Sequence, residues 1–216
     1  MRHICRVMSV VSLTLMVCSP ASAEHSGPYL GLIGGGNIIM KAKSTDSQGD
    51  FSFKFDPSYL MGAVVGWDLS RENSEAQGRV ELEYSRRSNP LNEAGFVEGS
   101  IKGTGKVGSD SCLMNLYAVY RDQSILSPYI GVGAGAAFVK ASDLAVAGNA
   151  VGHGSSTVFA YQFGTGAELA LSRRVSLDLG YRFFGTIKPK FTESNGDKFR
   201  MEYFNHSAVL GVKYGF

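Results

Sequence analysis

Few residues of this sequence are placed where they could carry out nucleophilic chemistry. His153, Gly154 and Ser155 give a histidine and a serine two residues apart, the pair that a general base and a nucleophile would need. This stretch is rich in glycine, so we expect an exposed loop and not a strand. His206 has Ala208 two residues on, which leaves it without a nucleophile. Because no third group is placed to orient either histidine, we predict no catalytic residue and no enzymatic activity.

Cofactor and metal sites are not indicated either. Cys5 and Cys18 lie in an N-terminal segment that we expect to be removed, which leaves Cys112 as a single thiol without a disulfide partner. No cluster of cysteine, histidine and carboxylate side chains has the spacing of a metal site. The glycine run at 34–36 lacks the Gly-Lys-Ser/Thr of a phosphate loop, and no helical pattern follows it. We therefore predict no cofactor and no metal.

The first 23 residues have the pattern of a secretory signal peptide. Arg2 and Arg6 give the positively charged start, and Val7–Val17 is an apolar run too short for a stop-transfer helix. Ala21, Ser22 and Ala23 form an A-x-A cleavage site. An N-terminal membrane anchor is the alternative, but the short run and the small residues after it favour cleavage after Ala23.

The charge and composition of the remaining residues, 24–216, limit the class of protein. The sequence has 21 basic and 19 acidic residues, and the loss of Arg2 and Arg6 leaves 19 of each. A neutral chain gives no support to nucleic-acid binding, so we expect none. The length fits one barrel or sandwich domain. A hydrophobic content of 44% also suits a transmembrane barrel, because only every second residue of its strands is apolar.

The last stretch of the chain indicates what its elements are. From Phe204 to Phe216 apolar and polar-or-small residues alternate, and Leu210 and Val212 share the apolar face with the terminal phenylalanine. A period of two predicts a β-strand. A strand this long and apolar would aggregate as an open edge in water. We therefore expect it to close a barrel, with Leu210 and Val212 pointing outward into lipid.

The same alternation recurs, so the sequence predicts an all-β protein with eight antiparallel strands in up-and-down order. The predicted strands are 27–41, 51–70, 79–88, 111–121, 128–140, 157–170, 175–184 and 200–216. Their connections alternate between long loops (41–50, 89–110, 141–156 and 185–199) and short turns (71–77, 122–127 and 171–174). Outer-membrane barrels have short periplasmic turns and long extracellular loops. Asp56 and Pro57 interrupt the second strand, where we expect a bulge or a protruding extension.

These patterns carry a resemblance to a known family. The terminal Phe216, with Tyr214 two residues before it, resembles the C-terminal signal strand of bacterial outer-membrane barrels, which the barrel-assembly machinery reads. The mature chain resembles the eight-stranded OmpA-type barrel and the related opacity and surface-antigen proteins of the porin family. The resemblance implies a bacterial outer-membrane location without the peptidoglycan-binding domain of full OmpA-type proteins. A soluble barrel of lipocalin type is the alternative fold, which the charged face on the opposite side of the strands makes less favoured.

The polar parity of the strands predicts a charge network inside the barrel. Five basic and four acidic residues share it: Arg79, Glu81, Glu83, Arg87, Arg121, Glu168, Asp178, Arg182 and Lys213. Eight strands leave an interior barely wide enough for side chains, so these charges must pair. A structural plug is the favoured interpretation. A narrow pathway for ions or small solutes, gated by the pairs, is the alternative.

The long loops are the parts left free to carry function. We therefore expect a non-catalytic surface protein with an envelope role, whose loops serve adhesion or bind a host or extracellular ligand. Outer-membrane lipid and lipopolysaccharide are the expected surroundings. Because some small outer-membrane barrels are lipid-modifying enzymes with a His-x-Ser arrangement, that activity is kept as a third and less favoured alternative.

Overall fold

The structure is a computed structural model that describes residues 27–40, 42–45, 50–69, 75–96, 99–122, 124–147, 149–193 and 198–216. The expected signal peptide and its cleavage site lie outside these ranges. Within the described ranges, the chain contains no helix long and apolar enough to cross a membrane.

Residues with alternating character form the β-strands, as the sequence predicts. The described strands are β1 (Gly27–Ile39), β2 (Ala42–Thr45), β3 (Asp50–Phe55), β4 (Ser58–Leu69), β5 (Ala76–Phe96), β6 (Gly99–Tyr120), β7 (Leu126–Val146), β8 (Asn149–Ala170), β9 (Val175–Thr186), β10 (Lys190–Glu193), β11 (Lys198–Met201) and β12 (Phe204–Gly215). All their pairings are antiparallel, so the all-β prediction is confirmed.

Eight of these strands close into a ring. The order is β5-β4-β1-β12-β9-β8-β7-β6, and β6 pairs again with β5. The closing pair runs from Tyr29↔Gly215 to Ile39↔Asn205, so the first and last strands of the ring are joined along their full length. A closed ring has no unpaired edge, which is the condition for a sheet to stand in lipid. The predicted eight-stranded barrel is confirmed.

The long loops expected from the sequence are for the most part strands. β5, β6, β7 and β8 contain 21, 22, 21 and 22 residues, about twice the 9–11 residues that cross a bilayer. Only residues 97 and 98 separate β5 from β6, and only residues 147 and 148 separate β7 from β8. The expectation of loops at 89–110 and 141–156 is therefore wrong, because hairpins with many polar and glycine residues continue the sheet beyond the membrane.

The projecting strands form a second ring above the first. Here β5 to β8 are joined by short strands in the order β8-β10-β11-β2-β3-β5. Both rings therefore contain eight strand positions. At four of them a single strand (β5, β6, β7 or β8) continues through both rings, and at the other four the strand is interrupted between the rings. The predicted loops 41–50 and 185–199 supply these short strands in part.

The interruptions and bulges reverse which side chains face inward. Phe55 is buried in β3, and the next buried side chain after Asp56 and Pro57 is Leu60 of β4. The same change of parity occurs on β7, where Ala141 and Leu144 are both buried across a shift in register. The expected irregularity at Asp56–Pro57 is confirmed.

The side chains of the predicted second strand do not all face the same way, contrary to the prediction from the sequence. Phe53 and Phe55 share their parity with Tyr59, and the sequence places all three on one face. In the structure Phe53 and Phe55 are buried inside the barrel, whereas Tyr59 is exposed on its outer wall. The continuous apolar parity of the sequence thus faces outward below the interruption and inward above it.

The outer wall of the lower ring is a band of exposed apolar side chains. Leu210 is 58% exposed and Val212 is 49% exposed, so both point outward, as expected. The same wall includes Leu32, Met114 and Leu179. A soluble monomer does not expose a continuous apolar patch of this extent, whereas a transmembrane barrel requires one.

Glycines on the inner wall make room for large side chains in the narrow interior. A Cβ atom added at Gly131 of β7 would overlap the ring of Tyr117 on the neighbouring β6. The Tyr117 ring in turn meets that of Tyr129 edge-on, with centroids 5.3 Å apart. Glycine at 131 is therefore a packing requirement of the lumen.

The substitution Gly131→Ala is expected to destabilise the barrel by about 1–3 kcal/mol, because the methyl group overpacks the interior against Tyr117. Gly36→Ala is the matched control, since a Cβ there would meet nothing within 4 Å. Urea unfolding of the two variants in lipid vesicles measures the difference. Equal stability of Gly131→Ala and the wild type would contradict the packing described above.

Candidate functional site

The inward side chains of β5 show how the interior changes along the barrel axis. From the short turns upward they are Arg79, Glu81, Glu83, Ser85, Arg87, Asn89, Leu91 and Ala94, all of them buried. The interior therefore passes from charged groups through neutral polar groups to apolar ones. Other strands supply the partners at each level.

Four strands contribute to the charged layer nearest the short turns. Arg79 Nη1 on β5 lies 2.8 Å from Glu168 Oε2 on β8 and 3.6 Å from Glu81 Oε1. Lys213 Nζ on β12 lies 2.8 Å from Asp178 Oδ2 on β9, 3.4 Å from Glu81 Oε1 and 3.5 Å from Glu168 Oε2. Because buried charges are stable only when paired, these contacts couple β5, β8, β9 and β12 across the lumen.

Asp68 and Arg121 extend this layer toward the short-turn end. Arg121 Nη2 lies 3.2 Å from Asp68 Oδ1 and 3.9 Å from Glu168 Oε2. Asp68 Oδ1 also lies 3.8 Å from Arg79 Nε. Arg121 is partly exposed, whereas Asp68 is buried. The pair therefore lies where the charged layer meets solvent at the short-turn end of the barrel.

Three buried tyrosines enclose the cations of this layer: Tyr29, Tyr117 and Tyr129. The Tyr29 hydroxyl donates a 2.5 Å hydrogen bond to Glu81 Oε1, and the Tyr129 hydroxyl donates one of 2.6 Å to Asp178 Oδ1. The Arg79 guanidinium carbon lies 5.2 Å from the centroid of the Tyr129 ring. Aromatic faces at this distance attract cations, so the tyrosines stabilise both signs of charge.

A second polar layer is centred on Glu83. Its Oε2 accepts hydrogen bonds of 2.9 Å from Gln162 Nε2 and 3.1 Å from Asn115 Nδ2. Arg87 Nη2 and Arg182 Nε each lie 4.0 Å from a Glu83 oxygen. One buried carboxylate thus receives two donors and lies between two guanidinium groups.

Neutral side chains form the third layer. Asn37 Nδ2 donates to Asn89 Oδ1 at 2.6 Å and to Asn205 Oδ1 at 3.0 Å, while Ser207 Oγ donates to Asn37 Oδ1 at 2.8 Å. Above these residues the interior is filled by a buried apolar cluster that includes Phe53, Val107, Val139, Leu144, Phe191 and Met201. At the level of the apolar wall the interior thus holds these polar layers beside a smaller apolar cluster of Tyr29, Ile33, Leu60, Val64 and Val209. The interior of the projecting hairpins is filled by apolar groups.

The nine charged residues predicted from parity all have ion-pair contacts inside the barrel. Eight of them are buried, and Arg121 is partly exposed. Asp68 and the tyrosines Tyr29 and Tyr129 also belong to the lumen, although they were not among the predicted residues. Their parity could have indicated them, since each is next to outward apolar residues such as Trp67 or Ile130.

The residues considered for catalysis lie elsewhere. Residue 153 belongs to β8 and pairs with Thr192, so the expectation of a loop there is wrong. The side chain of His153 lies outside the described part of the structure, whereas Ser155 is exposed. His206 faces outward, with its Nδ1 2.5 Å from the Tyr181 hydroxyl and its ring 5.3 Å from that of Phe183.

The single cysteine and the C-terminal aromatic residues lie on the outer wall. Cys112 is exposed on the outer wall in the middle of β6 and not near a strand end. Within the described ranges, no three His, Cys, Asp or Glu side chains are grouped so that they could hold a metal ion. Tyr214 and Phe216 both point outward, and their rings meet edge-on with centroids 5.5 Å apart.

The closed ring, the apolar wall and the charged interior together define a small barrel of the outer-membrane type. Residues 9–216 match the family model described as "Outer membrane protein beta-barrel domain". The chain belongs to this family and is a protein of the bacterial outer membrane.

Individual relatives agree with this assignment. The chain is 25% identical over 239 aligned residues to an outer membrane protein of Gluconacetobacter diazotrophicus, which covers 96% of this chain and 63% of that protein. It is 30% identical over 116 residues to a candidate adhesin of Rickettsia conorii. This match covers 48% of this chain and 47% of that protein. The chain thus spans less than two thirds of the length of these curated relatives. The crystal structure of neisserial surface protein A shares its fold, with 20% sequence identity and a TM-score of 0.52. The match covers 88% of this chain and 98% of that protein.

The substitution Lys213→Met is expected to lower the free energy of unfolding by about 3–5 kcal/mol, because it removes the cation paired with buried Asp178 and one of the cations paired with Glu81 and Glu168. Lys54→Met is the control, since Lys54 pairs with Glu93 at 3.7 Å but its side chain is 65% exposed. Loss of such a surface pair is expected to cost less than about 1 kcal/mol. Urea unfolding in lipid vesicles compares them, and similar losses in both variants would show that the lumen network does not stabilise the barrel.

Proposed function

We propose that this protein is a non-catalytic surface protein of the outer membrane, whose barrel supports projecting hairpins that adhere to a host or extracellular ligand. The observation that carries the proposal is the continuation of β5 to β8 beyond the membrane around an apolar core. A filled hairpin extension holds its outer residues in a fixed arrangement, and preorganised surfaces bind with a lower entropic cost. The likeness to a candidate adhesin over about half of the chain supports this function.

The interior is part of the same proposal. We regard the nine charged residues as a plug, because their side chains are paired with one another and packed against tyrosines. An eight-stranded barrel has room for such side chains but little beyond them. The asparagine layer and the apolar cluster lie above the charges and add to the obstruction.

Processing and assembly complete the proposal. Residues 1–23 act as a signal peptide, and residues 24–216 form the mature barrel domain. Tyr214 and Phe216 serve as the signal read by the barrel-assembly machinery, which their exposed position at the end of β12 allows. Outer-membrane lipid surrounds the apolar wall.

A plugged barrel is predicted to conduct no ions across a bilayer. Full-length mature barrel reconstituted in planar bilayers is expected to give no steady ohmic conductance, whereas a general porin added to the same bilayer gives conductance steps. The measurement separates the two functions considered for the interior. Steady conductance proportional to voltage would favour the small-solute channel and contradict the plug.

Adhesion is tested by shortening one hairpin at its tip, which leaves the strands of the lower ring unchanged. Because Glu93 pairs with Lys102 across β5 and β6, residues 94–101 can be replaced by Asn-Gly, a favoured two-residue hairpin turn. Produced in a non-adherent bacterium with an outer membrane, the wild type is expected to raise binding to cultured host cells. The shortened variant is expected to return binding to roughly the level of the empty vector.

Matched point variants control for changes in folding and expression. Ile101 is 45% exposed on the projecting hairpin, and Ile125 is 52% exposed at the opposite end of the barrel. Ile101→Ser is expected to reduce binding, whereas Ile125→Ser is expected to leave it unchanged. Heat-modifiable gel mobility checks that every variant folds. Absence of adhesion by the wild type, or full adhesion by the shortened variant, would contradict the proposal.

A further inference from the structure

A cationic groove lies on the outer wall of the barrel, at the level where the apolar band ends. Its volume is about 340 Å³, and outward residues of β4, β5, β6 and β7 line most of it. We propose that this groove binds the phosphate groups of lipopolysaccharide, the phosphorylated glycolipid of the outer leaflet. The inference concerns the barrel wall and does not depend on adhesion by the hairpins.

The register of the strands forms the groove. Tyr59 pairs with Ser88, Ser88 with Gly108, and Gly108 with Lys140. These four residues therefore form one row on the outer face, which spans about 14 Å at the usual strand spacing. The serine and the glycine leave a low floor, while Tyr59 and Lys140 rise on either side.

Three cations surround this floor. Lys140 lies in the row itself, Arg86 lies two residues before Ser88 on β5, and Lys106 lies two residues before Gly108 on β6. All three side chains are exposed. Among the described residues, no carboxylate lies within 4.0 Å of Lys106 or Lys140. Their positive charges are thus available to an anion from outside.

Two carboxylates also line the groove, and their positions leave its centre positive. Asp110 lies at the lower corner, where it accepts a 2.7 Å hydrogen bond from Tyr84 and lies 3.9 Å from Arg86. Asp143 lies at the upper rim, in the bulged part of β7. The two lysines therefore face the floor without an acidic neighbour in contact.

The wall directly below the groove matches the other half of a lipid molecule. The row beneath contains Met61 and Phe138 on either side of Arg86 and Asp110, and the next outward rows contain Tyr84, Leu82 and Met114. A lipid whose phosphate lies in the groove can lay its acyl chains along this apolar surface. Basic pockets at the membrane boundary bind anionic lipid headgroups in this way, whereas a free phosphate would gain nothing from the apolar wall.

The test uses the full mature barrel in detergent micelles and native mass spectrometry with three probes. These are bisphosphorylated lipid A, the same lipid A after removal of both phosphates, and inorganic phosphate as competitor. The variant is Lys106→Gln with Lys140→Gln. The control is Lys54→Gln with Lys102→Gln, which removes two exposed lysines of the projecting strands outside the groove.

Each cation near an anionic lipid surface contributes about fivefold in affinity. The groove variant is therefore expected to bind bisphosphorylated lipid A roughly 25-fold more weakly than the wild type, and the control to bind within about twofold of it. Dephosphorylated lipid A is expected to bind the wild type as weakly as bisphosphorylated lipid A binds the groove variant.

Three results would overturn the proposal. Equal binding of bisphosphorylated lipid A to the wild type and the groove variant would exclude the lysines as its site. Equal binding of the two lipid A forms to the wild type would exclude phosphate recognition. Competition by inorganic phosphate at the same concentration as the lipid would assign the groove to the free anion.

Discussion

Lipid offers no hydrogen-bond partner to a peptide group, and the structure of this protein depends on that constraint. The sheet must close on itself, so the first strand of the ring pairs with the last from Tyr29 to Ile39. Closure with eight strands produces an interior only as wide as its own side chains. Everything that points inward is therefore removed from water, and its charges must balance within the tube. The pairing of Lys213 with three carboxylates from three strands is the result.

The surroundings of the barrel change along its axis from lipid to water. The interior changes the other way, from mostly polar side chains to apolar ones. At the level of the apolar wall the inside holds Arg79, Glu81 and their partners, whereas the projecting part is filled by residues such as Phe53 and Leu144. Interruptions and bulges between the two levels reverse the inward parity. One continuous apolar alternation in the sequence can thus face lipid below and a dry core above. The upper part of the barrel is built like a soluble protein on a membrane base.

This division assigns different tasks to different surfaces. The interior couples strands far apart in sequence, such as β5 and β12, through ion pairs. The projecting strands have a core of their own, so their outer residues can differ without disturbing the part in lipid. The boundary between the two levels carries the groove of Arg86, Lys106 and Lys140, where polar and apolar surroundings meet. Stability, contact with other molecules and contact with lipid headgroups are therefore separated along one axis.

The sequence alone determined that eight strands close into a ring and which way residues such as Leu210 and Glu83 face, because a period of two leaves only one choice of face in lipid. It also placed nine of the charged residues of the lumen on the polar parity of their strands, although not Asp68. The tertiary structure decided how they pair, since Arg79 and Glu168 are 89 residues apart and no local pattern relates them. It also decided that residues 89–110 continue the sheet and that Phe53 turns inward. Polar and glycine-rich hairpins are typical of loops, and they become strands here because an apolar core and neighbouring strands hold them.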